Sequence, residues 1–196
     1  MPREEQYTAN VKIVGAQPLL IQKYPEPEGP KVTNSATDYS DEWKKCVHLD
    51  FDENKWLVLP NVNIEMTIRE AAKGQKIGKN FLTRVVPTGI EVNELRVPIL
   101  DGSGNKLAIE DLEDRGWLLT CPVVIQKKRV MKTRACVMHW QMNFTLSVVS
   151  PLLTPEIVQG LIEKAGYCSG LGVWRPSSPS PGKFGQFDLE KFEVIE

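Results

Sequence analysis

A strict alternation of apolar and polar side chains over residues 140–148 restricts this chain to folds that contain a sheet with one buried face. Side chains alternate between the two faces of an extended strand, so a period of two indicates a strand that is buried on one side only. The apolar positions are Trp140, Met142, Phe144, Leu146 and Val148. A shorter alternation over residues 7–13 predicts a second strand of the same kind.

Two helices are predicted from their ends and from the spacing of apolar residues. In the first, Asn61 or Asn63 can provide the N-cap, and Gly74 marks the end. Its apolar residues Ile64, Ile68 and Ala71 follow the i, i+4, i+7 spacing. In the second, Thr154 is the predicted N-cap and Pro155 lies in the first turn, where its missing N–H does no harm. The apolar face of this helix consists of Ile157, Val158, Leu161, Ile162 and Ala165.

The order of these elements defines a fold class. Further strands are predicted over residues 117–125 and 187–195, which gives the order strand, helix, strand, strand, helix, strand. This order predicts an α+β protein with a ferredoxin-like (RRM-like) βαββαβ core, in which two helices cover one face of a four-stranded antiparallel sheet. The open face of such a sheet can bind single-stranded RNA.

The length of 196 residues suits one domain over residues 1–196. Residues 75–115 are rich in charge and glycine, and we expect irregular structure and hairpins there. Residues 75–115 and 122–138 are candidate insertions into the core, and the basic segment 126–134 within the second is long enough to project from the sheet as a hairpin.

Charge is distributed unevenly along the chain, although the net charge is only −1. Residues 1–114 contain 19 acidic and 14 basic side chains, whereas residues 115–155 contain six basic side chains and no acidic one. Residues 71–90 form a second acid-free stretch. Two cationic stretches on an acidic body can hold a polyanion locally.

These stretches provide the candidate phosphate-binding residues. In the projecting hairpin they are Lys127, Lys128, Arg129, Lys132 and Arg134. In the second stretch they are Lys73, Lys76, Lys79 and Arg84. Contact with the phosphates of a nucleic acid is the use that the charge predicts. The alternative is an ordinary solvated hairpin, but such a hairpin usually mixes both signs of charge.

A glycine-rich loop near the C-terminus is the second candidate site. Gly170, Gly172 and two later glycines allow positive φ angles and a close approach of a sugar-phosphate chain. Arg175 and Lys183 add charge, and Trp174 offers a stacking surface. The alternative is a loop that only joins helix to strand and buries Trp174.

Two segments resemble the RAMP superfamily of CRISPR-associated RNA-binding proteins. Residues 57–64 run Leu-Val-Leu-Pro-Asn-Val-Asn-Ile and lead to Arg69, which is similar to the segment that opens the first helix of that superfamily. Residues 182–187, Gly-Lys-Phe-Gly-Gln-Phe, resemble its C-terminal glycine-rich loop. The resemblance is greatest to backbone subunits that coat a guide RNA. It implies a palm with an inserted hairpin as a thumb, supplied by residues 122–138 or 75–115, and residues 127–134 along the RNA path.

The resemblance and the charge pattern together predict a non-catalytic subunit that binds single-stranded guide RNA in a ribonucleoprotein complex and polymerises along the RNA. Its partners would be the RNA and copies of itself or other effector subunits. One alternative is a metal-independent endoribonuclease that processes guide-RNA precursors, with His48 or His139 as weak candidates for general acid or base. Another is a protein-interaction or mimic module that docks onto effector subunits, which the acidic first half supports.

The remaining expectations are negative. The four cysteines are widely spaced, so we expect reduced thiols and neither a metal nor a cofactor. No apolar run is long enough to cross a bilayer and no export signal opens the chain, so we expect a cytoplasmic protein with no membrane contact.

Overall fold

The computed structural model describes residues 6–23, 42–52, 54–125 and 128–195. Within these ranges the elements follow one another in the order β1 (Tyr7–Gly15), β2 (Leu19–Ile21), α1 (Glu42–Lys45), β3 (Val58–Pro60), α2 (Asn61–Ala71), β4 (Lys76–Ile77), β5 (Asn80–Phe81), α3 (Leu82–Gly89), β6 (Ile90–Val92), β7 (Arg96–Pro98), β8 (Leu100–Asp101), α4 (Ile109–Asp114), β9 (Leu118–Ile125), β10 (Lys128–Val137), β11 (Trp140–Val148), α5 (Pro155–Cys168) and β12 (Phe187–Ile195). The predicted α+β class is confirmed. None of the helices in these ranges is long and apolar enough to span a lipid bilayer.

A five-stranded antiparallel sheet forms the centre of the molecule. Its strands lie in the order β12-β1-β11-β6, and β8 pairs with the start of β11. Val11 at the middle of β1 lies opposite Phe144 on one side and Phe192 on the other. The alternation that predicted β1 and β11 therefore places their apolar side chains on one common face.

Two helices and this apolar face enclose the main core. Helix α5 packs against α2 and against β12. The close approach to β12 requires Gly166, because a Cβ atom there would overlap the carbonyl oxygen of Phe187. The predicted apolar face of α5 is largely buried, including Val158, Leu161 and Ile162. Its first residue is Pro155, preceded by Thr154 as predicted, whereas α2 begins at Asn61 with Pro60 in the N-cap position.

A second sheet of three strands, in the order β2-β10-β9, lies beside the central sheet. Strands β9 and β10 form an antiparallel hairpin in which Lys132 lies opposite Cys121 and Arg134 opposite Leu119. The base of β10 also pairs with β2, where Cys136 lies opposite Leu20. We refer to β9 and β10 together as the basic hairpin.

One predicted neighbour relationship is wrong. Residues 118–125 do form a strand, but they pair with β10 in the three-stranded sheet and not with β11 in the central sheet. The place beside β11 is taken by Ile90–Val92. Three residues are too few for the alternation of apolar and polar side chains to be recognised in the sequence.

The segment 75–115 contains more regular structure than predicted. Helices α3 and α4 lie within it, along with the strand pair β4–β5 and the short strands β6, β7 and β8, of which β7 pairs with β3 outside the segment. Both helices are short, with eight and six residues, and α3 contains Pro87. Short length and an internal proline remove the helical signals on which sequence interpretation depends.

Candidate nucleic-acid interface

The cations of the basic hairpin do not all face one side. Successive side chains of a strand point to opposite faces, so Lys132 and Arg134 share one face of β10 and Arg129 lies on the other, together with Met131. Arg129 and Met131 are exposed, and Lys132 is half-buried. Lys127 lies outside the described residues, and Lys128 is the first residue of β10, opposite Ile125.

Arg134 is buried, with only 7% of its surface exposed, and two of its three guanidinium nitrogens donate hydrogen bonds within the protein. Its Nε donates a hydrogen bond of 2.6 Å to Oε1 of Gln22, and its Nη1 donates one of 3.3 Å to Sγ of Cys121. The guanidinium carbon lies 4.8 Å from the centre of the Trp174 ring, within the range of a cation–π contact. Arg134 therefore joins the basic hairpin to the glycine-rich loop.

The glycine-rich loop is fixed to the second sheet by its backbone. Val173 donates a 2.9 Å hydrogen bond to the carbonyl of Leu20 in β2, and a Cβ atom at Gly172 would overlap that same oxygen. Gly170 and Gly172 have φ angles of 68° and 72°, which glycine adopts readily. Helix α2 holds the other side of the loop, where Oγ1 of Thr67 donates a 3.0 Å hydrogen bond to the carbonyl of Gly170.

Trp174 and Arg175 have structural contacts inside this loop. Trp174 has a φ angle of 53°, a strained value for a residue with a side chain. Its indole lies between Arg134 and Phe184, whose ring centre is 6.1 Å away. Arg175 donates hydrogen bonds to Oγ of Ser177 and to the carbonyl of Gly172, at 3.1 and 2.9 Å. Both side chains are half-buried, whereas Lys183 is exposed.

A cationic cluster that sequence reasoning missed lies at the base of the basic hairpin. Lys23 follows β2, and its backbone N–H donates a 2.7 Å hydrogen bond to the carbonyl of Cys46. Burial raises the pKa of the Cys46 thiol, while the charges of Lys132, Lys23 and Arg134 act to lower it. The charge of Glu42 acts in the opposite direction, so three cations and one carboxylate influence this buried thiol. The signal available in the sequence was the position of Gln22 and Lys23 directly after a short apolar run.

The second acid-free stretch forms a separate surface. Lys76, Lys79 and Arg84 are exposed on and beside the β4–β5 hairpin. Lys73 is exposed too, but its Nζ lies 2.5 Å from a carboxylate oxygen of Glu70, which balances its charge. The structure thus brings these residues together near one hairpin that is distinct from β9–β10.

The open face of the central sheet carries a cleft of about 260 Å³, whose lining includes the polar or charged residues Asn10, Lys12, Glu94, Asn143, Thr145 and Lys191 as well as Val11 and Phe144. Lys12 pairs with Glu190 at 2.9 Å and Lys191 pairs with Glu193 at 2.7 Å. Both ammonium groups are balanced by carboxylates, so this face lacks the unneutralised charge of the basic hairpin.

The two histidines lie in different surroundings. His48 is half-buried, and burial lowers its pKa with further lowering by the charges of Lys23 and Arg96. Its imidazole is therefore uncharged at neutral pH. His139 is exposed in the turn between β10 and β11 and meets Trp117 edge to face, with ring centres 6.4 Å apart. Over the described ranges, no group of three or more histidine, cysteine or acidic side chains could hold a metal ion.

Comparison with known proteins bears on the fold. No protein-family model and no curated protein matches the chain. Its structure is similar to a chain in the cryo-EM structure of the Type III-B Cmr-beta bound to cognate target RNA, with a TM-score of 0.52 and 12% sequence identity. The similarity covers 98% of this chain and 61% of that chain. The α+β fold with antiparallel sheets is therefore shared along nearly the whole of the present chain.

Proposed function

We propose that this protein is a non-catalytic subunit of a ribonucleoprotein complex that binds single-stranded guide RNA through the basic hairpin and the glycine-rich loop. The observation that carries this proposal is the contact between Arg134 and Trp174. It links two separately predicted elements. The cations that we assign to phosphate contact are Lys132, on the same face of β10 as Arg134, the exposed Lys183 of the loop, and Arg129 on the other face of β10.

The arrangement of the central sheet supports a RAMP-like core. Strand order β12-β1-β11-β6, with α2 following β1 and α5 following β11, is the order expected of a ferredoxin-like fold. On this interpretation residues 1–196 form one domain, with the basic hairpin as the inserted thumb. The fold shared with a chain from an RNA-bound Type III-B Cmr-beta structure supports an RNA ligand and effector subunits as partners.

Charge-neutralising substitutions in the basic hairpin test the RNA contact. We expect Arg129→Gln combined with Lys132→Gln to weaken binding of a labelled single-stranded RNA about 20-fold at 0.1 M salt, because each phosphate contact to a single strand contributes a slope of about 0.7 to the salt dependence. Fluorescence anisotropy over a salt series measures both the affinity and the slope. Lys106→Gln is the matched control, since Lys106 is exposed in the acid-rich segment 91–114. Wild-type protein that fails to bind at low ionic strength would contradict the proposal and favour a role in protein docking.

Polymerisation along the RNA has its own test. If several copies coat one strand, the number of bound chains must rise in steps with RNA length, and the steps can be counted by native mass spectrometry. One bound chain at every length would contradict polymerisation while leaving RNA binding intact.

Endoribonuclease activity is a second candidate because of His48. An uncharged imidazole close to Lys23 and Arg96 can accept a proton near a phosphate. Cleavage of a hairpin RNA by wild-type protein, without added metal, and its loss in His48→Ala would establish this activity. We expect no cleavage by either protein.

A further inference from the structure

The β4–β5 hairpin presents an aromatic ring to solvent. It is closed by Gly78 and Lys79, and Gly78 adopts a φ angle of 57° in the turn. Phe81 ends the hairpin with 45% of its surface exposed. A phenylalanine ring left in water forfeits hydrophobic stabilisation, so its position calls for a physical reason.

The ring of Phe81 is held in a fixed place. Lys76 lies directly opposite it in the strand pair, and the Nζ of Lys76 is 4.2 Å from the ring centre. The next residue, Leu82, is buried, begins α3 and donates a 3.0 Å hydrogen bond to the carbonyl of Gln75. The backbone on both sides of the ring is therefore anchored, so a ligand that stacks on the ring loses little entropy in ordering it.

The charge around the ring favours an anionic ligand. Lys79 precedes Phe81 by two residues and Arg84 follows it by three, and no acidic residue occurs in residues 71–90. Phe51 is 84% exposed and lies between Asp50 and Asp52, and the guanidinium carbon of Arg96 lies 3.4 Å from its ring centre, so a cation with two neighbouring acids occupies that ring. Within the described residues, no carboxylate forms an ion pair with Lys79 or Arg84. A base of single-stranded nucleic acid can stack on the Phe81 ring while these cations bind the phosphates beside that base. Such stacking tolerates any base.

We propose that Phe81 stacks on an unpaired base of single-stranded RNA while Lys79 and Arg84 contact the adjacent phosphates. This inference rests on the proposed RNA-binding function and adds a second contact, on a surface separate from the basic hairpin. It predicts that the β4–β5 hairpin adds to RNA affinity in two ways, by stacking of Phe81 on a base and by contact of cations with phosphates.

The experiment measures binding of a labelled oligoadenylate by fluorescence anisotropy over a salt series. We expect Phe81→Ala to weaken binding about tenfold, the effect of losing one stacked base, without changing the slope of log K against log salt. Lys79→Gln is expected to reduce that slope by about 0.7. Phe81→Trp keeps a stacking face and retains affinity, whereas Phe81→Leu keeps apolar area without an aromatic face and does not.

The matched control is Phe51→Ala, which removes an exposed phenylalanine that also has a cationic partner, Arg96, but lies between two aspartates, and it is expected to leave affinity unchanged. Thermal unfolding of each variant checks that the fold is retained. If wild-type protein binds RNA and Phe81→Ala or Phe81→Leu binds equally well, the inference is overturned while the proposed function stands. If Phe81→Ala changes only self-association, the ring contacts protein and the inference is again overturned. No RNA binding by wild type would overturn both.

Discussion

Substitution of Gly185 by alanine is expected to lower the free energy of unfolding by about 3 kcal/mol. Gly185 has a φ angle of 66°, in the left-handed region, and a Cβ atom there would overlap the carbonyl oxygen of Leu171. The left-handed conformation costs a residue with a side chain about 1–2 kcal/mol, and relief of the overlap costs a similar amount. The same two residues hold the loop closed, since the backbone N–H of Leu171 donates a 2.9 Å hydrogen bond to the Gly185 carbonyl. Chemical denaturation monitored by circular dichroism measures the change.

Gly160→Ala is the matched control for this substitution. Gly160 lies in the exposed face of α5, where an added Cβ would meet nothing within 4 Å. Alanine is favoured over glycine inside a helix by about 1 kcal/mol, so this variant is expected to be more stable than wild type. Equal stability of the two variants would show that the close approach of Gly185 to Leu171 does not constrain the loop.

Replacement of Arg134 by methionine is expected to weaken RNA binding about tenfold while leaving its salt dependence unchanged, and to lower stability by about 2 kcal/mol. The guanidinium donates to Gln22 and Cys121 and lies against Trp174, so its loss leaves a half-buried amide oxygen without its donor and frees the loop from the hairpin. Under the proposed function we therefore expect Arg134 to position the interface and not to contact phosphate. Anisotropy over a salt series measures the slope, and urea denaturation measures the stability.

Arg134→Lys sharpens this test because it keeps the charge and removes the planar fork of donors. It is expected to resemble Arg134→Met in affinity and in slope. Were Arg134 a phosphate contact, methionine would reduce the slope by about 0.7 and lysine would restore it, which would contradict the positioning role.

The parts of the fold that could be predicted from sequence are those with long, regular patterns. Nine residues of alternation identified β11, and fourteen residues of helical spacing identified α5. The pairing partner of a strand is not encoded in its own pattern, so the strand near Leu118–Ile125 was assigned to the wrong sheet. Its place belongs to β6, which has only three residues.

The candidate interface was predictable in its charge and not in its geometry. The acid-free stretch is visible in the sequence, but strand alternation within β10 separates Arg129 from Lys132. The role of Arg134 depends on Gln22, which is 112 residues away in the chain. Contacts between residues so far apart in the chain form only when two sheets and a loop assemble. Residue type and local spacing therefore do not predict them.

The joint between Arg134 and Trp174 lies near the foot of the basic hairpin, several residue pairs away from its tip at Ile125 and Lys128. The tip can therefore be lengthened or shortened without disturbing the anchorage of the loop. Under the proposed function, a few residues inserted or deleted at the tip would change how far the hairpin extends along the RNA, while the contact between Arg134 and Trp174 would be unchanged.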